Sequence, residues 1–334
     1  MMGNTMGNTM GNMARAKIAL PLFFALVLVC ALGCTKKSSG SADSASDSGK
    51  LTIISSIFPS YDFARQIAGE RAVVTMLLPP AAESHSYEPT PRDIIAVQRC
   101  DLFIYTGGES DAWIDDVLST VQSPKLVTLK MMDAVTVVTE EIVEGMQEED
   151  AEDGEIEEAE YDEHVWTSVR NAKLIVLAIT EELCRLDAEG SEYYRERSRN
   201  YCDSLDALDA SFRAAVAAGS RNTLIFGDRF PFRYLADDYN LNYFAAFPGC
   251  STETEPSAAT VAFLINKVKA EHIPVVFFIE LSNERMADAI CEATGAQKLL
   301  LHACHNISKK DFENGITYLT LQTQNVENLR VALQ

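Results

Sequence analysis

Five histidines occur in this 334-residue chain, at 85, 164, 272, 302 and 305. Three of them follow apolar, β-branched runs. His85 lies in PPAAESHSYEPTPRD after VVTMLL (73–78), His164 closes the loop after LVTL (126–129), and His302 directly follows KLLL (298–301). Neutral imidazoles are good donors to zinc and to other first-row divalent ions, and three of them can supply the protein's share of a zinc site. A single histidine in a loop is more often a surface residue. What sets these three apart is their shared placement after strands, because ligands bind outside the carboxyl ends of the strands of an open parallel sheet. His85, His164 and His302 are therefore expected to converge. His272 precedes its strand and carries no such expectation, and His305 reads as a neighbour of the site or a surface residue.

Negative charge is the second chemical feature. From Glu140 to Glu163 there are 14 carboxylates and no Lys or Arg, so this stretch supplies most of the net charge of -21 and leaves only -7 elsewhere. Acidity of this kind excludes a nucleic-acid binder, which needs a basic face. The stretch reads either as a solvated insertion or as an antenna that concentrates cations over about 8 Å at physiological salt. It holds no histidine before His164, so imidazole chelation within the run is excluded. Three histidines and a water would also suit a hydrolase. Against that alternative, the chain has no HExxH pair, no nucleophile elbow and no general base at motif spacing.

Strand-like runs alternate with helical patterns throughout. LTIISSI (51–57), VVTMLL (73–78), LFIYT (102–106) and LVTL (126–129) form one set; TLIF (223–226), YFAAF (243–247), VVFFIE (275–280) and KLLL (298–301) form another. Such alternation predicts parallel sheets covered on both faces, hence an α/β protein of two (β/α)4 lobes with mostly parallel sheets. Thr90 and Pro91 mark a helix start. Ala172, Ile175, Val176, Ile179 and Leu183 share one helical face. In the second set, helices are expected over 256–270, 282–294 and 310–332. Between the sets, Tyr194, Ser198, Tyr201, Leu205, Leu208, Phe212 and Val216 make a helical stripe, with Ser191 as cap and Gly219 as stop. One long rigid helix of roughly 40 Å would join the lobes; the alternative is two shorter helices within one lobe. The expected divisions are an N-terminal lobe over 51–190 with its acidic loop at 140–163, a linking helix over 191–219 and a C-terminal lobe over 220–334.

The N-terminus reads as targeting sequence. Arg15 and Lys17 precede IALPLFFALVLVCALGC, which is too short for a confident membrane span. ALGC resembles a bacterial lipobox, with Cys34 the residue to be lipidated; Val29 makes Cys30 a poorer candidate. The signal peptide is expected over 1–34, with Met13 as the translation start, and a Ser-rich tether over 35–50. Six cysteines follow, at 100, 184, 202, 250, 291 and 304, with no CxxC pair. An extracytoplasmic compartment permits disulfides, and Cys250 with Cys304 or Cys291 is a candidate bridge.

Several segments resemble the zinc/manganese substrate-binding lipoproteins of ABC importers (cluster A-I). LPPAAESHSYEPTPRDI resembles their first ligand loop, YDEHVWTSVRNAKLI their second, and FFIELSNERMADAICEATGAQKLLLH the segment reaching their last ligand; PSYDFARQIAGE and ETEPSA also fit. The resemblance implies two (β/α) lobes joined by a long helix, a metal site in the inter-lobe cleft, and a monomer that hands its ion to a membrane permease. It implies Zn2+, or less favourably Mn2+, with His85 and His164 as ligands. It places His302 where many members have an aspartate. At the third position, where zinc binders have His, this chain reads LIFGDRFPFRYL, so Gly227 supplies no side chain. Asp228 one residue on, a displaced Glu280, or a water would fill the gap. A surface-adhesin role, sometimes proposed for the family, has no specific support in these residues.

Overall fold

The computed structural model describes residues 49–83, 87–121, 124–146, 160–251 and 256–334. The expected signal peptide with Cys34, His85 in its loop, and the central part of the acidic run therefore lie outside the described residues.

In the N-terminal lobe, β1 (Leu51–Ser55) pairs in parallel with β2 (Ala72–Met76) on one side and β3 (Leu102–Tyr105) on the other. β3 pairs in parallel with β4 (Val127–Lys130), which gives the order β2-β1-β3-β4. The helices α1 (Phe58–Ala68), α2 (Pro91–Arg99), α3 (Ala112–Thr120) and α4 (Val169–Leu186) complete this lobe. Thr90 and Asp93 close a full capping box at the start of α2, with Pro91 at the first helical position, where its missing N–H costs nothing.

The C-terminal lobe repeats the strand order less completely. β5 (Thr223–Ile225) pairs in parallel with β7 (Asn242–Phe244), and β9 (Val275–Phe278) with β10 (Gln297–Leu300). A single parallel bridge, Phe226 to Phe277, joins the two pairs into the order β7-β5-β9-β10. The expected strand 243–247 is interrupted: Ala245 and Ala246 leave the ladder, and β8 (Phe247–Pro248) pairs instead with β6 (Arg229–Phe230). The helices here are α6 (Arg233–Tyr239), α7 (Ala258–Glu271), α8 (Arg285–Thr294), α9 (Lys309–Glu313) and α10 (Tyr318–Ala332). The expected single helix over 310–332 is thus broken. Gly315 turns the chain with φ 69°, and the Thr317 hydroxyl accepts from Thr320 N–H to begin α10 afresh.

Between the lobes runs α5 (Ser191–Ala218), 28 residues in one piece, hence about 42 Å long. The cap differs from expectation. Gly190 is the capping residue, and Ser191 already lies in the helix. The Asp187 carboxylate accepts from Gly190 N–H and from the Tyr194 hydroxyl, tying off the entry. Tyr194, Ser198, Tyr201, Leu205, Leu208 and Phe212 are buried as the stripe predicts, with Ala215 taking the place of Val216. α5 packs on α1, α4 and α10.

Successive residues of the central strands are buried on opposite faces, and that alternation of side locates three cores. Ile53, Leu102, Ile104, Leu224, Phe226, Val275 and Phe277 face one large cluster that also takes in α4, α5 and α10. Their neighbours Ile54 and Phe103 face a small cluster on the far side of the N-terminal sheet, and Ile225 and Val276 one on the far side of the C-terminal sheet. Both faces of both sheets are therefore dry, as parallel sheets require. The large core is shared by the two lobes, so opening the lobes wide would expose it. The six described cysteines are free thiols. The expected bridge from Cys250 to Cys304 or Cys291 does not form, because Cys304 is buried in the large core while Cys291 packs in the far C-terminal cluster. No described helix is long and apolar enough to cross a membrane.

Candidate metal centre

His164 is fully buried. It sits at the entry to the single turn Val165–Thr167 that leads into α4, and the Ser168 hydroxyl caps that helix by accepting from Asn171 N–H. Asp162 Oδ1 accepts the His164 backbone N–H at 2.8 Å and lies 2.9 Å from Nδ1. A carboxylate there keeps the proton on Nδ1 and leaves the Nε2 lone pair for an electrophile, the arrangement found behind metal-binding histidines. Burial pulls the imidazole pKa down, but Asp162, Glu163 and Glu140 outweigh burial, and the net direction is upward.

Those carboxylates come from the two ends of the acidic run, which pair with each other. Thr139 and Tyr161 form an antiparallel bridge, flanked by Glu140 N–H to Glu160 O at 2.8 Å and Asp162 N–H to Val138 O at 2.9 Å. Glu140 then reaches across to the other lobe, where its Oε1 accepts Cys250 N–H at 2.9 Å. This fixes the Gly249–Cys250 turn against the imidazole. A Cβ on Gly249 would lie 3.0 Å from His164 Cε1 and 3.0 Å from Phe230 O, so the close approach depends on glycine. Glu163 accepts from the backbone and hydroxyl of Ser110, and burial raises its pKa. Beside it, burial and then Glu163 itself push Asp111 up to about 7, against donation from Thr106 and Gly107 N–H.

Among the described residues, Glu163, His164 and Cys250 are the set of three metal-competent side chains with donor atoms all within 4.8 Å of one another. Cys250 was not anticipated as a site residue. No CxxC spacing marks it, and only the fold brings the 247–250 turn to His164. Its thiol pKa is raised by burial and by the surrounding carboxylates, so a metal would have to displace a proton to reach sulfur.

The C-lobe candidates are spent differently. Glu280 accepts Ala303 N–H at 2.7 Å through Oε2 and His305 N–H at 2.9 Å through Oε1; it shapes the 302–305 turn. Asp228 accepts Arg229 N–H at 2.9 Å and Ile279 N–H at 3.4 Å, and burial raises its pKa. His302 is buried and held by Asn325, which accepts its N–H and donates to its carbonyl, each at 2.8 Å. His302 Nδ1 also accepts Cys304 N–H at 3.0 Å. None of Asp228, Glu280 and His302 joins a described three-donor group with His164. His305 is the histidine that meets it, with ring centroids 4.5 Å apart at 80°. Trp166 stands edge-on to both rings and donates Nε1–H to Ala303 O at 2.7 Å, fastening one lobe to the other. Arg229 bonds Glu83 at 3.1 Å and Ser251 O at 3.3 Å, bracing the start of the His85 loop, and its charge also favours the ionised Asp228. His272 is exposed and ends α7 in a left-handed conformation. A groove of about 520 Å³, lined by residues such as Glu141, Arg233 and Lys267, has none of the histidines in its lining.

Two α/β lobes on one long helix, with imidazoles from both meeting in the cleft, define a periplasmic-type binding protein of the metal-ion class. The chain belongs to the ZnuA family, zinc-uptake complex component A, periplasmic, whose model matches residues 53–332. It is 31% identical over 313 residues to the high-affinity zinc uptake system protein ZnuA of Bacillus subtilis, covering 93% of this chain and 94% of that protein. It is 28% identical over 285 residues to the zinc-binding lipoprotein AdcA of Streptococcus pneumoniae, covering 84% of this chain but only 56% of AdcA's length. Among solved structures, the Zn(II)-bound ZnuA-like domain of S. pneumoniae AdcA superposes with a TM-score of 0.71 at 26% identity, over 85% of this chain and 99% of that one. The metal-dependent lipoprotein YcdH of B. subtilis gives 0.72 at 28%, over 85% and 100%. A laminin-binding protein of Streptococcus pyogenes, at 22% identity, shares the fold. The ZnuA and AdcA relatives are named for zinc uptake and zinc binding.

Proposed function

We propose that this protein captures Zn2+ outside the cytoplasmic membrane and delivers it to the permease of an ABC importer. The carrying observation is His164: a fully buried imidazole whose Nδ1 is fixed by Asp162 and whose ring faces a second histidine from the opposite lobe at 4.5 Å. His85 and His164 are the N-lobe ligands in this reading, and the 302–305 turn brings the C-lobe imidazole. Asp228 and Glu280 act on backbone N–H groups and support the site's shape. Imidazole donors suit zinc; manganese favours carboxylate, carbonyl and water, so an imidazole-rich set ranks Zn2+ first. Lipidation at Cys34 would tether a monomer to the membrane surface. The shared core and α5 oppose a wide hinge, so capture proceeds through the loops that carry the ligands.

The test is a competition titration of the mature protein with Zn2+ and Mn2+ against a chelating indicator, repeated for His85→Ala and His164→Ala. Tight, one-to-one zinc binding lost in both variants is the expected result. Unchanged affinity in both variants overturns the site. Turnover of an ester or phosphate that vanishes with the metal would favour a hydrolase.

A further inference from the structure

Resting on that zinc-capture reading, we propose that Cys250 is a ligand of the captured ion: its thiolate, the His164 imidazole and the Glu163 carboxylate hold Zn2+ across the cleft. The three donor atoms all lie within 4.8 Å of one another. Glu163 and His164 come from the N-terminal lobe and Cys250 from the C-terminal one, so an ion among them joins the lobes.

The fold builds this approach. Gly227, just past β5, carries no side chain and has room for none, since a Cβ there would stand 2.6 Å from Ala287 Cα. Asp228 beside it spends its oxygens on the Arg229 and Ile279 N–H groups. The C-terminal lobe reaches His164 by another route. At Ala245–Ala246 the chain leaves β7, and the pairing of Phe230 with Pro248 in β6 and β8 carries the 247–250 turn to the imidazole. Phe230 is itself fixed by stacking on Tyr243, with ring centroids 3.6 Å apart. Gly249 lets the turn close on the ring, because a Cβ there would meet His164 Cε1 at 3.0 Å and Nδ1 at 3.2 Å. Cys250 is then held from both sides. Glu140 accepts its N–H at 2.9 Å, and Arg229 donates to the carbonyl of Ser251 at 3.3 Å. A side chain placed this firmly is preorganised for a ligand's task.

The surroundings of the sulfur suit a cation. Glu163, Glu140 and Asp162 put three carboxylates around it, and the Glu163 N–H donates to the sulfur. The N–H favours the thiolate, and a divalent ion offsets the negative potential of the carboxylates. On binding, the S–H bond breaks as the Zn–S bond forms, and the proton passes to solvent. A thiolate also sorts ions. Soft sulfur suits zinc, whereas manganese favours carboxylate, carbonyl and water. Cys250 therefore sets Zn2+ above Mn2+ at a site that also offers oxygen.

Co2+ loading of the full mature chain tests the assignment. The parent should show a near-ultraviolet thiolate-to-cobalt charge-transfer band. The band should persist in Cys291→Ser, whose thiol packs in the far C-terminal cluster, and vanish in Cys250→Ser. Competition titration gives the second readout. Cys250→Ser should lose Zn2+ affinity by roughly tenfold or more, since a ligand is worth at least as much as an outer partner. Its Mn2+ affinity should change less, so the preference for zinc narrows. Circular dichroism of metal-free Cys250→Ser controls for folding, and the band of the parent requires no variant. Absence of the band from the Co2+-loaded parent, its survival in Cys250→Ser, or an unchanged preference for zinc overturns the assignment while leaving zinc capture intact. A parent that binds neither Zn2+ nor Co2+ sinks the capture reading itself.

Discussion

The two lobes use buried carboxylates in opposite ways around the same cleft. In the N-terminal lobe Asp162 turns its oxygen to the ring nitrogen of His164, and Glu140 and Glu163 add negative potential to that ring. In the C-terminal lobe Glu280 and Asp228 turn their oxygens chiefly to backbone N–H groups, with Glu280 Oε2 more distant, at 3.5 Å, from His302 Nδ1. The first arrangement tunes a donor; the second shapes a loop. One lobe therefore holds its imidazole electrostatically and the other positions its imidazole by backbone geometry. A carboxylate near a metal site need not be a ligand, and what it accepts from decides what it does.

The comparison breaks most directly at His164. His164→Ala removes the tuned donor, and the expected fall in zinc affinity exceeds the roughly 10–100-fold that loss of an outer partner costs. Competition titration against a chelating indicator reads it. If affinity is retained, the N-lobe carboxylates are tuning nothing.

Asp162→Asn should come next, with a loss of roughly 10–100-fold at neutral pH. Its pH dependence carries the sharper information. Zinc requires the neutral imidazole, and the carboxylates hold the His164 pKa above the ordinary 6.5, so protons compete from a higher pH than for a free histidine. Removing Asp162 lowers the ring's proton affinity. The acid limb of zinc binding should therefore shift to lower pH even as binding at neutral pH weakens. In the metal-free protein the sign is the reverse for stability. The Asp162–His164 pair contributes fully below the unfolded-state value and is lost as pH rises through the folded one. A limb that stays in place in Asp162→Asn would assign the raised pKa to Glu163 and Glu140 instead.

Glu280→Gln probes the other lobe and should be milder toward zinc than Asp162→Asn. An amide keeps one acceptor oxygen but presents an NH2 to either Ala303 or His305 N–H, leaving a buried donor unmatched at a cost of about 1–3 kcal/mol. Urea unfolding should register that loss in the metal-free protein. If zinc affinity falls further than in Asp162→Asn while stability holds, Glu280 is a ligand after all.

The elements were legible where period and capping agree. Thr90–Pro91, the α4 face and the α5 stripe all appear where the residues put them, because burial of one face is a local, repeated signal. The interruption at Ala245–Ala246 was hidden, since YFAAF satisfies strand propensity while β8 pairs elsewhere. The helix break before Thr317 had a visible marker in Gly315, which a through-going apolar pattern masked. The motif singled out His164, and the structure buries its ring beside Asp162. That the His305 ring would lie against it was not legible, because HACH offers two histidines three apart and the sequence does not show how the chain turns at Cys304. Cys250 carried no spacing signal at all.

The smallest expected effect concerns the acidic run. Its described ends are structural: Glu140 and Asp162 sit in the antiparallel pairing, and Met146 is buried in the large core. A cut beginning at residue 144 would therefore remove core along with charge. The clean variant keeps the length and replaces the eight acids between 147 and 159 by Gln and Asn. Screening limits such charges to about 8 Å at physiological salt, so they act on encounter and not on the bound state. Stopped-flow zinc uptake should slow by a few-fold at low ionic strength and match the parent at high salt. Equilibrium affinity should hold at both, because the carboxylates that touch the His164 surroundings are the untouched ones at 140, 162 and 163. An on-rate that ignores the substitution at low salt would divide the run cleanly, with ends that build the site and a centre that only solvates the loop.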